Sequence, residues 1–149
     1  SDTEHIPLCG NEFKKYKYVK KYIAEIHERL TPEGFSQYDA WYLVTNYGKQ
    51  TETILQYYAK QKEDDHELGM AKAELKFTIE NEMVHTPMDF FIRRTGRLYF
   101  DIDSIRKLME PILVEFKTIY KLNDNVIDTY RKTLESEIEE HSNFSLDRI

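Results

Sequence analysis

The chain of 149 residues has the length and composition of one folded domain, and it carries a net negative charge. A chain of this size can bury about 68–70% of the surface that its unfolded form exposes, so it can fold without a disulfide or a metal. The aromatic share of 13% argues against disorder, and the single cysteine, Cys9, excludes an internal disulfide and suits a reducing compartment. The net charge of −6 disfavours nonspecific binding to nucleic acid or anionic lipid, and no apolar run has the length of a membrane span.

Three helices are predicted in the first 60 residues, because apolar residues recur there at steps of three and four. Residues 1–13 lack this periodicity and are predicted to form an extended lead-in. The first helix is expected to end at the turn of residues 31–34, and the capping pair Ser36 and Asp39 opens the second, which Gly48 ends. The residues predicted to face inward are Tyr16, Val19, Ile23, Ile26, Leu30, Ala40, Leu43, Val44, Tyr47, Ile54, Leu55 and Tyr58.

The next stretch, residues 73–101, is predicted to form a helix, a stop, a second short helix and an extended exit at Leu98-Tyr99-Phe100. Helical spacing places Leu75, Ile79 and Met83 on one face of the first of these helices.

Three residues mark the start of the second short helix. The hydroxyl of Thr86 can cap free amides, Pro87 suits the first helical position, and Asp89 faces the positive end of the helix dipole. Phe90 and Phe91 are expected to point inward, and Gly96 is expected to end the helix in a left-handed conformation.

The last third of the sequence predicts two longer helices. Asp103 or Ser104 is expected to cap the first, and Pro111 to kink or split it, because proline removes one backbone hydrogen bond. Asn123-Asp124 starts the last helix, which is expected to fray from Ser142. The predicted inward residues are Ile105, Leu108, Ile112, Phe116, Ile119, Val126 or Ile127, Tyr130, Leu134 and Ile138. The whole predicts an all-α fold, a compact bundle of six to seven helices with short loops.

No segment has the spacing of a cofactor loop or a catalytic triad. The five glycines are too far apart for a dinucleotide- or phosphate-binding loop. Two Glu-x-x-His pairs, Glu63 with His66 and Glu82 with His85, have the spacing found in di-iron bundles, but both are expected at helix ends among charged residues. We therefore assign no catalytic, cofactor-binding or metal-binding residue. A metal-binding helical bundle stays as an alternative, which bound iron or manganese would reveal.

A basic and aromatic run extends from Lys14 to Tyr22. Such a run can contact phosphates or nucleic acid, but it is also typical of the wet face of an amphipathic helix. The acidity of the chain disfavours nucleic acid as a partner. Docking to another part of the same protein is the favoured interpretation, and a free-standing helical protein-interaction module is the alternative.

A cluster of three arginines, Arg93, Arg94 and Arg97, surrounds the predicted end of the second short helix. Cations at a helix C-terminus are favourable, which explains one arginine better than three. The cluster is therefore interpreted as pairing with carboxylates, inside the domain or across an interface, and Glu82 and Asp89 are the expected internal partners. Contact with an anion such as a substrate phosphate stays open.

Two blocks of this sequence carry a family resemblance. The residues concerned are Asp39-Ala40, Leu43-Val44 and Tyr47-Gly48, followed by Ala73-Glu74-Leu75, Glu82-Met83, Thr86, Asp89-Phe90 and Arg93-Arg94-Thr95. In this order they resemble the C-terminal helical domain of FAD-dependent glycerol-3-phosphate dehydrogenases and alpha-glycerophosphate oxidases. The resemblance covers roughly residues 35–140 and is weaker before them.

The resemblance implies a parent flavoprotein of glycerol metabolism, an oxidoreductase that converts sn-glycerol 3-phosphate to dihydroxyacetone phosphate and passes electrons to quinone or oxygen. In that family the flavin fold and the substrate-binding residues precede the helical domain, so FAD belongs to the parent and this fragment is expected to be inactive alone. Its implied partners are the flavin and substrate domains of the same chain, and a homo-oligomer is a further expectation. The expected location is the cytoplasm, with the inner face of the membrane as an alternative.

The resulting domain assignment has three parts. Residues 1–34 form the lead-in and an amphipathic helix, an insert or a linker to the flavin domain; residues 35–141 form the cap domain; residues 142–149 form a frayed tail. The residues expected to organise the polar network of the cap are Glu82, Thr86, Asp89, Arg93, Arg94 and Thr95. The sequence leaves open the electron acceptor, the oligomeric state, the role of residues 1–34 and the nature of the arginine contacts.

Overall fold

The computed structural model describes the backbone of residues 10–147 and the side chains of residues 14–143, and every regular element in that part of the chain is a helix. The α-helices are α1 (Gly10–Leu30), α2 (Gln37–Tyr47), α3 (Thr51–Lys60), α4 (His66–Asn81), α5 (Arg97–Phe100), α6 (Ile102–Tyr120) and α7 (Asp124–Asp147). Two 3-10 turns, Thr31–Glu33 and Gly48–Gln50, and a π-helix, Asp89–Arg94, lie between them. The all-α prediction is thereby confirmed.

The chain forms two compact units that divide between Thr53 and Ile54, inside α3. In the first unit α1 packs on α2. The hydroxyl of Thr51 donates to the carbonyl of Leu43 at 3.1 Å, which ties the start of α3 to α2. The buried apolar residues of this unit are Ile26, Leu30, Ala40, Leu43, Val44 and Tyr47, all of them predicted.

The turn between α1 and α2 follows the predicted chemistry. Gly34 has a φ of 89°, a left-handed conformation that suits a residue without a Cβ. Ser36 and Asp39 form the predicted capping box, because the Asp39 amide donates to the Ser36 hydroxyl at 3.3 Å and the Ser36 amide donates to the Asp39 carboxylate at 2.8 Å.

The prediction for α1 was wrong at its start. The helix already includes residues 10–13, whereas residues 1–9 of the predicted lead-in lie outside the described part of the chain. Tyr16 and Val19 are exposed rather than buried. The reason is length: α1 has 21 residues and α2 has 11, so α2 covers only about half of the apolar stripe of α1.

The second unit has one hydrophobic core, to which α4, the π-helix, α6 and α7 contribute. Phe90, Phe91 and Phe116 are fully buried within it. The core residues are Ala71, Leu75, Val84, Phe90, Phe91, Leu98, Ile105, Leu108, Ile112, Leu113, Phe116, Ile127, Leu134 and Ile138. Most of the residues predicted to face inward in this half of the chain are in this set.

Two predicted inward residues of the second unit are exposed. Helix α4 ends at Asn81, and Met83 adopts a left-handed φ of 58°, which turns its side chain away from the face that it would have shared with Leu75. Ile119 lies in the last turn of α6 and is also exposed, because the buried face of that helix ends with Phe116.

The connection from α5 to α6 also differs from the prediction. Residues Leu98-Tyr99-Phe100 form the short helix α5 instead of an extended exit, since the Gly96 carbonyl accepts from the amides of Tyr99 (2.9 Å) and Phe100 (3.2 Å). The cap of α6 is Asp101 rather than Asp103 or Ser104, because its carboxylate accepts from the Ser104 amide at 3.1 Å.

Pro111 does not split α6, and α7 extends beyond the residue at which fraying was predicted. Helix α6 is continuous through Pro111, because buried residues on both sides of the proline, Leu108 and Ile112, pack in the same core and hold the two halves together. Helix α7 continues past Ser142 to Asp147.

Candidate functional site

The candidate site is built around the π-helix. The helical segment that contains it starts with a reciprocal cap between Thr86 and Asp89. The Thr86 hydroxyl accepts from the Asp89 amide at 3.1 Å, and the Asp89 carboxylate accepts from the amides of His85 and Thr86, each at 3.2 Å. Pro87 is the first helical residue. The predicted start at Thr86, Pro87 and Asp89 is therefore confirmed, with Asp89 acting as a capping partner of the backbone.

The π geometry itself was not predicted. Thr95 ends the π-helix, where its amide donates to the Phe90 carbonyl at 3.0 Å and its hydroxyl donates to the same carbonyl at 2.8 Å. The adjacent rings of Phe90 and Phe91 are both fully buried, edge to face with centroids 5.2 Å apart. The wider helix accommodates two neighbouring inward aromatics, and π-helical segments of this kind are frequent at functional sites.

Three ion pairs surround the π-helix, and we call their six members, Glu74, Glu82, Asp89, Arg93, Arg94 and Arg97, the arginine hub. Arg97 on α5 binds Glu74 on α4 at 3.1 Å. The Glu74 side chain is 0% exposed and that of Arg97 is 14% exposed. The guanidinium of Arg97 also lies over the Phe90 ring, 5.4 Å from its centroid, which is within the range of a cation–π interaction.

The other two pairs are the ones that the sequence predicted. The guanidinium of Arg94 binds the Glu82 carboxylate at 2.7 Å, with side chains 21% and 30% exposed. Arg93 binds Asp89 at 3.2 Å on an exposed helix face. The structure therefore places Glu82, Asp89, Arg93 and Arg94 together as predicted, although only the pair of Arg97 and Glu74 is deeply buried.

Glu74 is the member that sequence reasoning missed as an ion-pair partner. A signal for it exists: Glu74 lies four residues after Met70 and four before Thr78, two residues that α4 buries. Neighbours at that spacing share one helix face. A carboxylate on an apolar helix face needs a cation as partner. Glu74 could therefore have been considered as the partner of Arg97.

The hub joins opposite charges rather than gathering one sign. Each of its guanidiniums contacts a carboxylate of the same unit, so the positive charge is largely compensated within the protein. Such an arrangement fixes backbone segments relative to one another: Glu82 and Arg94 join the end of α4 to the π-helix, and Glu74 and Arg97 join α4 to α5.

Members of the two Glu-x-x-His pairs contact different parts of the second unit. Glu63 binds Lys72 at 2.7 Å, and that contact, followed by a 3.1 Å contact with Glu115, raises the pKa of Lys72 despite partial burial. His85 packs edge-on against Tyr120, whose hydroxyl donates to the Val84 carbonyl at 3.0 Å. Burial, and then the charge of Asp89, raises the pKa of Tyr120. Over the side chains of residues 14–143, no three His, Cys, Asp or Glu residues cluster as metal ligands would.

The basic run forms an exposed face of α1. The ammonium of Lys20 lies over the Tyr16 ring at 5.6 Å, and Lys49 lies over Tyr18 at 5.5 Å. Between α1 and α2 there is an open groove of about 550 Å³ with a mainly apolar lining that includes Val19. The lysines thus shield apolar and aromatic surface, as an amphipathic helix face does.

A smaller cluster on the inner side of α1 links it to α3. Glu52 accepts from the Tyr22 hydroxyl at 3.1 Å and from the Arg29 guanidinium at 2.6 Å. Burial first, and then the hydrogen bond to Glu52, raises the pKa of Tyr22 to about 12. The Arg29 guanidinium holds the pKa of the Glu52 carboxyl below its usual value.

Over the described residues, none of the helices combines the length and apolar character that crossing a bilayer requires.

The sequence model of one protein family, described as the C-terminal domain of alpha-glycerophosphate oxidase, matches residues 1–126. The chain belongs to this family. The match begins at the first residue, so α1 lies inside the family domain. The family resemblance drawn from the two sequence blocks is thus confirmed.

Curated relatives agree with this assignment. The chain is 28% identical over 141 residues to an aerobic glycerol-3-phosphate dehydrogenase of Staphylococcus saprophyticus, covering 93% of the chain and 25% of that relative. It is 30% identical over 138 residues to an alpha-glycerophosphate oxidase of Streptococcus pneumoniae, covering 91% of the chain and 22% of the relative. The chain therefore spans about a quarter of the length of these relatives.

One solved structure gives the same result for the fold. The glycerol-3-phosphate dehydrogenase from Bacillus halodurans, determined in complex with FAD, matches with a TM-score of 0.70 and 25% identity. The match covers 83% of this chain and 25% of that one. The fold of this chain thus corresponds to one quarter of a larger flavin-containing protein.

Proposed function

We propose that the chain is the C-terminal cap domain of an FAD-dependent enzyme that oxidises sn-glycerol 3-phosphate to dihydroxyacetone phosphate. The observation that carries this proposal is the match to the C-terminal domain of alpha-glycerophosphate oxidase over residues 1–126, together with relatives about four times as long that are glycerol-3-phosphate dehydrogenases and oxidases. Whether oxygen or a quinone accepts the electrons follows from the rest of the parent, since relatives of both kinds match this chain.

The glycines in the described part of the chain do not have the arrangement of a flavin site. A dinucleotide pyrophosphate is normally bound by closely spaced glycines at the start of a helix. Here Gly34, Gly48 and Gly96 have positive φ values at three separate helix ends, and Gly69 lies within α4. We therefore assign FAD, and the hydride that it accepts from the substrate carbon, to the part of the parent outside this chain.

The same proposal gives this domain a structural role in the enzyme. The arginine hub compensates its own charges and joins α4, the π-helix and α5, so it acts as a fixed scaffold instead of presenting an open cationic pocket for a phosphate. Its members are positioning residues that hold the surface of the cap in one shape.

The test uses the full-length parent. We expect the purified holoenzyme to show flavin absorbance and to oxidise glycerol 3-phosphate. We expect Arg94→Gln to lower the thermal stability and to leave the KM for glycerol 3-phosphate unchanged. A parent without flavin, or one that does not oxidise glycerol 3-phosphate, would refute the enzyme assignment. A large rise in KM at unchanged stability would instead make Arg94 a ligand residue and refute the scaffold role.

A further inference from the structure

Met83 differs from the other three methionines of the chain in its exposure to water. Met83 is 76% exposed, whereas Met70, on the buried face of α4, is 7% exposed. Met88 and Met109 are partly buried against the hydrophobic core of the second unit. The chain has four methionines, so the thioether of one of them is far more accessible to dissolved molecules than the others. A side chain that stays in water contributes little to packing.

The backbone on both sides of Met83 is held by contacts that do not involve the methionine side chain. Met83 has a φ of 58°, a left-handed conformation in which glycine or asparagine usually ends a helix. The amides of Glu82 and Val84 both donate to the Thr78 carbonyl, at 2.9 and 3.3 Å. The Glu82 carboxylate binds the Arg94 guanidinium at 2.7 Å. The main chain at this position is therefore fixed, while the side chain projects into solvent.

Neither packing nor backbone geometry accounts for a methionine at position 83. Glycine suits a positive φ better, and a polar residue suits an exposed position better. The property that methionine alone brings there is the chemistry of its thioether, which peroxides oxidise to a sulfoxide. We propose that Met83 is a reversible oxidation site, whose thioether hydrogen peroxide converts to methionine sulfoxide.

The reaction needs no group other than the thioether and the peroxide. A lone pair of the sulfur attacks one oxygen of hydrogen peroxide, so the O–O bond breaks as the S–O bond forms. The sulfur loses two electrons, and the second oxygen leaves with both protons as water. A methionine sulfoxide reductase reverses the change with two thiols, which yields a disulfide and water. Oxygen that accepts two electrons and two protons becomes hydrogen peroxide, so a parent that uses oxygen supplies the oxidant itself; this source of peroxide rests on the proposed function.

The structure also indicates that oxidation at Met83 leaves the fold intact. A sulfoxide is polar and disrupts a hydrophobic core when it forms inside one, as it would at Met70. At position 83 the added oxygen stays in water, and the hydrogen bonds to the Thr78 carbonyl come from neighbouring amides. The next residue, Val84, is buried, and its carbonyl accepts from the Tyr120 hydroxyl at 3.0 Å. The segment thus stays anchored when the sulfur is modified.

The experiment follows the oxidation of each methionine in the full-length holoenzyme. Hydrogen peroxide is added, and conversion to the sulfoxide is read by peptide mass spectrometry. We expect Met83 to be oxidised about tenfold faster than Met70, with Met88 and Met109 between them. Met83→Leu removes the sulfur and should leave the rates at the other three positions unchanged. Val114→Met is the matched control for exposure, because Val114 is 59% exposed on α6 in the same unit, and its thioether should react about as fast as that of Met83.

The effect on the fold is measured on the same samples as amide hydrogen exchange of residues 78–95. We expect unchanged protection after oxidation of Met83, and return of the unmodified mass after treatment with methionine sulfoxide reductases and a dithiol. Oxidation of Met83 no faster than that of Met70, or about tenfold slower than at Val114→Met, overturns the site. Loss of protection at the Glu82 and Val84 amides, or failure of the reductases to remove the oxygen, overturns its reversible character.

The proposed function is tested separately on the same preparations. Flavin content and glycerol 3-phosphate oxidation are measured before peroxide is added, and their absence refutes the proposed function. Because the peroxide is supplied from outside, the order of oxidation still decides whether Met83 is the oxidation site.

Discussion

Removing the guanidinium of Arg97 should be the most damaging single change in the hub. The Glu74 carboxylate is fully buried and its partner is nearly so, with 3.1 Å between nitrogen and oxygen. Breaking a buried ion pair from one side leaves an uncompensated charge and costs about 3–5 kcal/mol. Domains of this size have a free energy of unfolding of about 5–15 kcal/mol, so Arg97→Ala should remove a large part of it.

The matched control is Arg94→Ala. Its partner Glu82 is 30% exposed, so water can solvate the carboxylate that has lost its arginine. We expect the free energy of unfolding to fall by about 1 kcal/mol. At roughly 2–4 °C per kcal/mol for chains of this length, the melting temperature should fall by about 6–20 °C for Arg97→Ala and about 2–4 °C for Arg94→Ala. The larger loss is expected at Arg97 because its carboxylate partner is the fully buried one.

The assay is urea unfolding of the 149-residue chain, followed by far-ultraviolet circular dichroism. The single tryptophan, Trp41, lies in the first unit and its fluorescence gives an independent transition there. Glu74→Gln is added to complete a double-mutant cycle, in which the cost of Arg97→Ala should fall by at least half. Equal losses for Arg97→Ala and Arg94→Ala, or an Arg97→Ala cost that Glu74→Gln does not reduce, would refute the buried-pair argument.

Three further predictions concern the cofactor, a cap and a tyrosine. The isolated chain should purify without visible flavin absorbance, and a flavin band that survives desalting would contradict the assignment of FAD to the rest of the parent. Thr86→Ala should cost about 1 kcal/mol in urea unfolding through loss of a helix cap, whereas Thr129→Ala on the exposed face of α7 should cost less. The raised pKa of Tyr22, about 12, means that stability present below pH 10 is lost as the pH rises from 10 towards 12. Glu52→Gln should lower that pKa in an NMR titration of the Tyr22 ring, and an unchanged value would exclude Glu52 as a cause.

Local chemistry made much of this fold predictable. Helix caps and left-handed glycines depend on residues only three or four positions apart, so the local sequence is enough to predict where they occur. The examples here are the caps at Ser36 and Thr86 and the glycines at 34 and 96. The pairing of Arg93 with Asp89 is of the same kind, because residues four apart on a helix are neighbours.

Features that depend on tertiary packing were not predictable in the same way. Glu74 and Arg97 are 23 residues apart, and only the packing of α5 near α4 brings them together. The continuity of α6 through Pro111 depends on the common core on both sides of it. The left-handed Met83 has no sequence signal, since methionine is not a residue that favours positive φ. In the first two cases the deciding contacts join residues that are distant in sequence.

The buried pair of the hub raises a final question, because an apolar pair of similar volume often stabilises a protein as well or better. We therefore expect Glu74→Met combined with Arg97→Met to unfold at the same or a higher urea concentration than the unmodified chain. If the ion pair serves to position α5, the same double variant should loosen that helix, and the backbone amides of residues 97–100 should exchange hydrogen faster than in the unmodified chain. A stable double variant with unchanged exchange would show that packing alone orients α5 and that the charges serve no positional role.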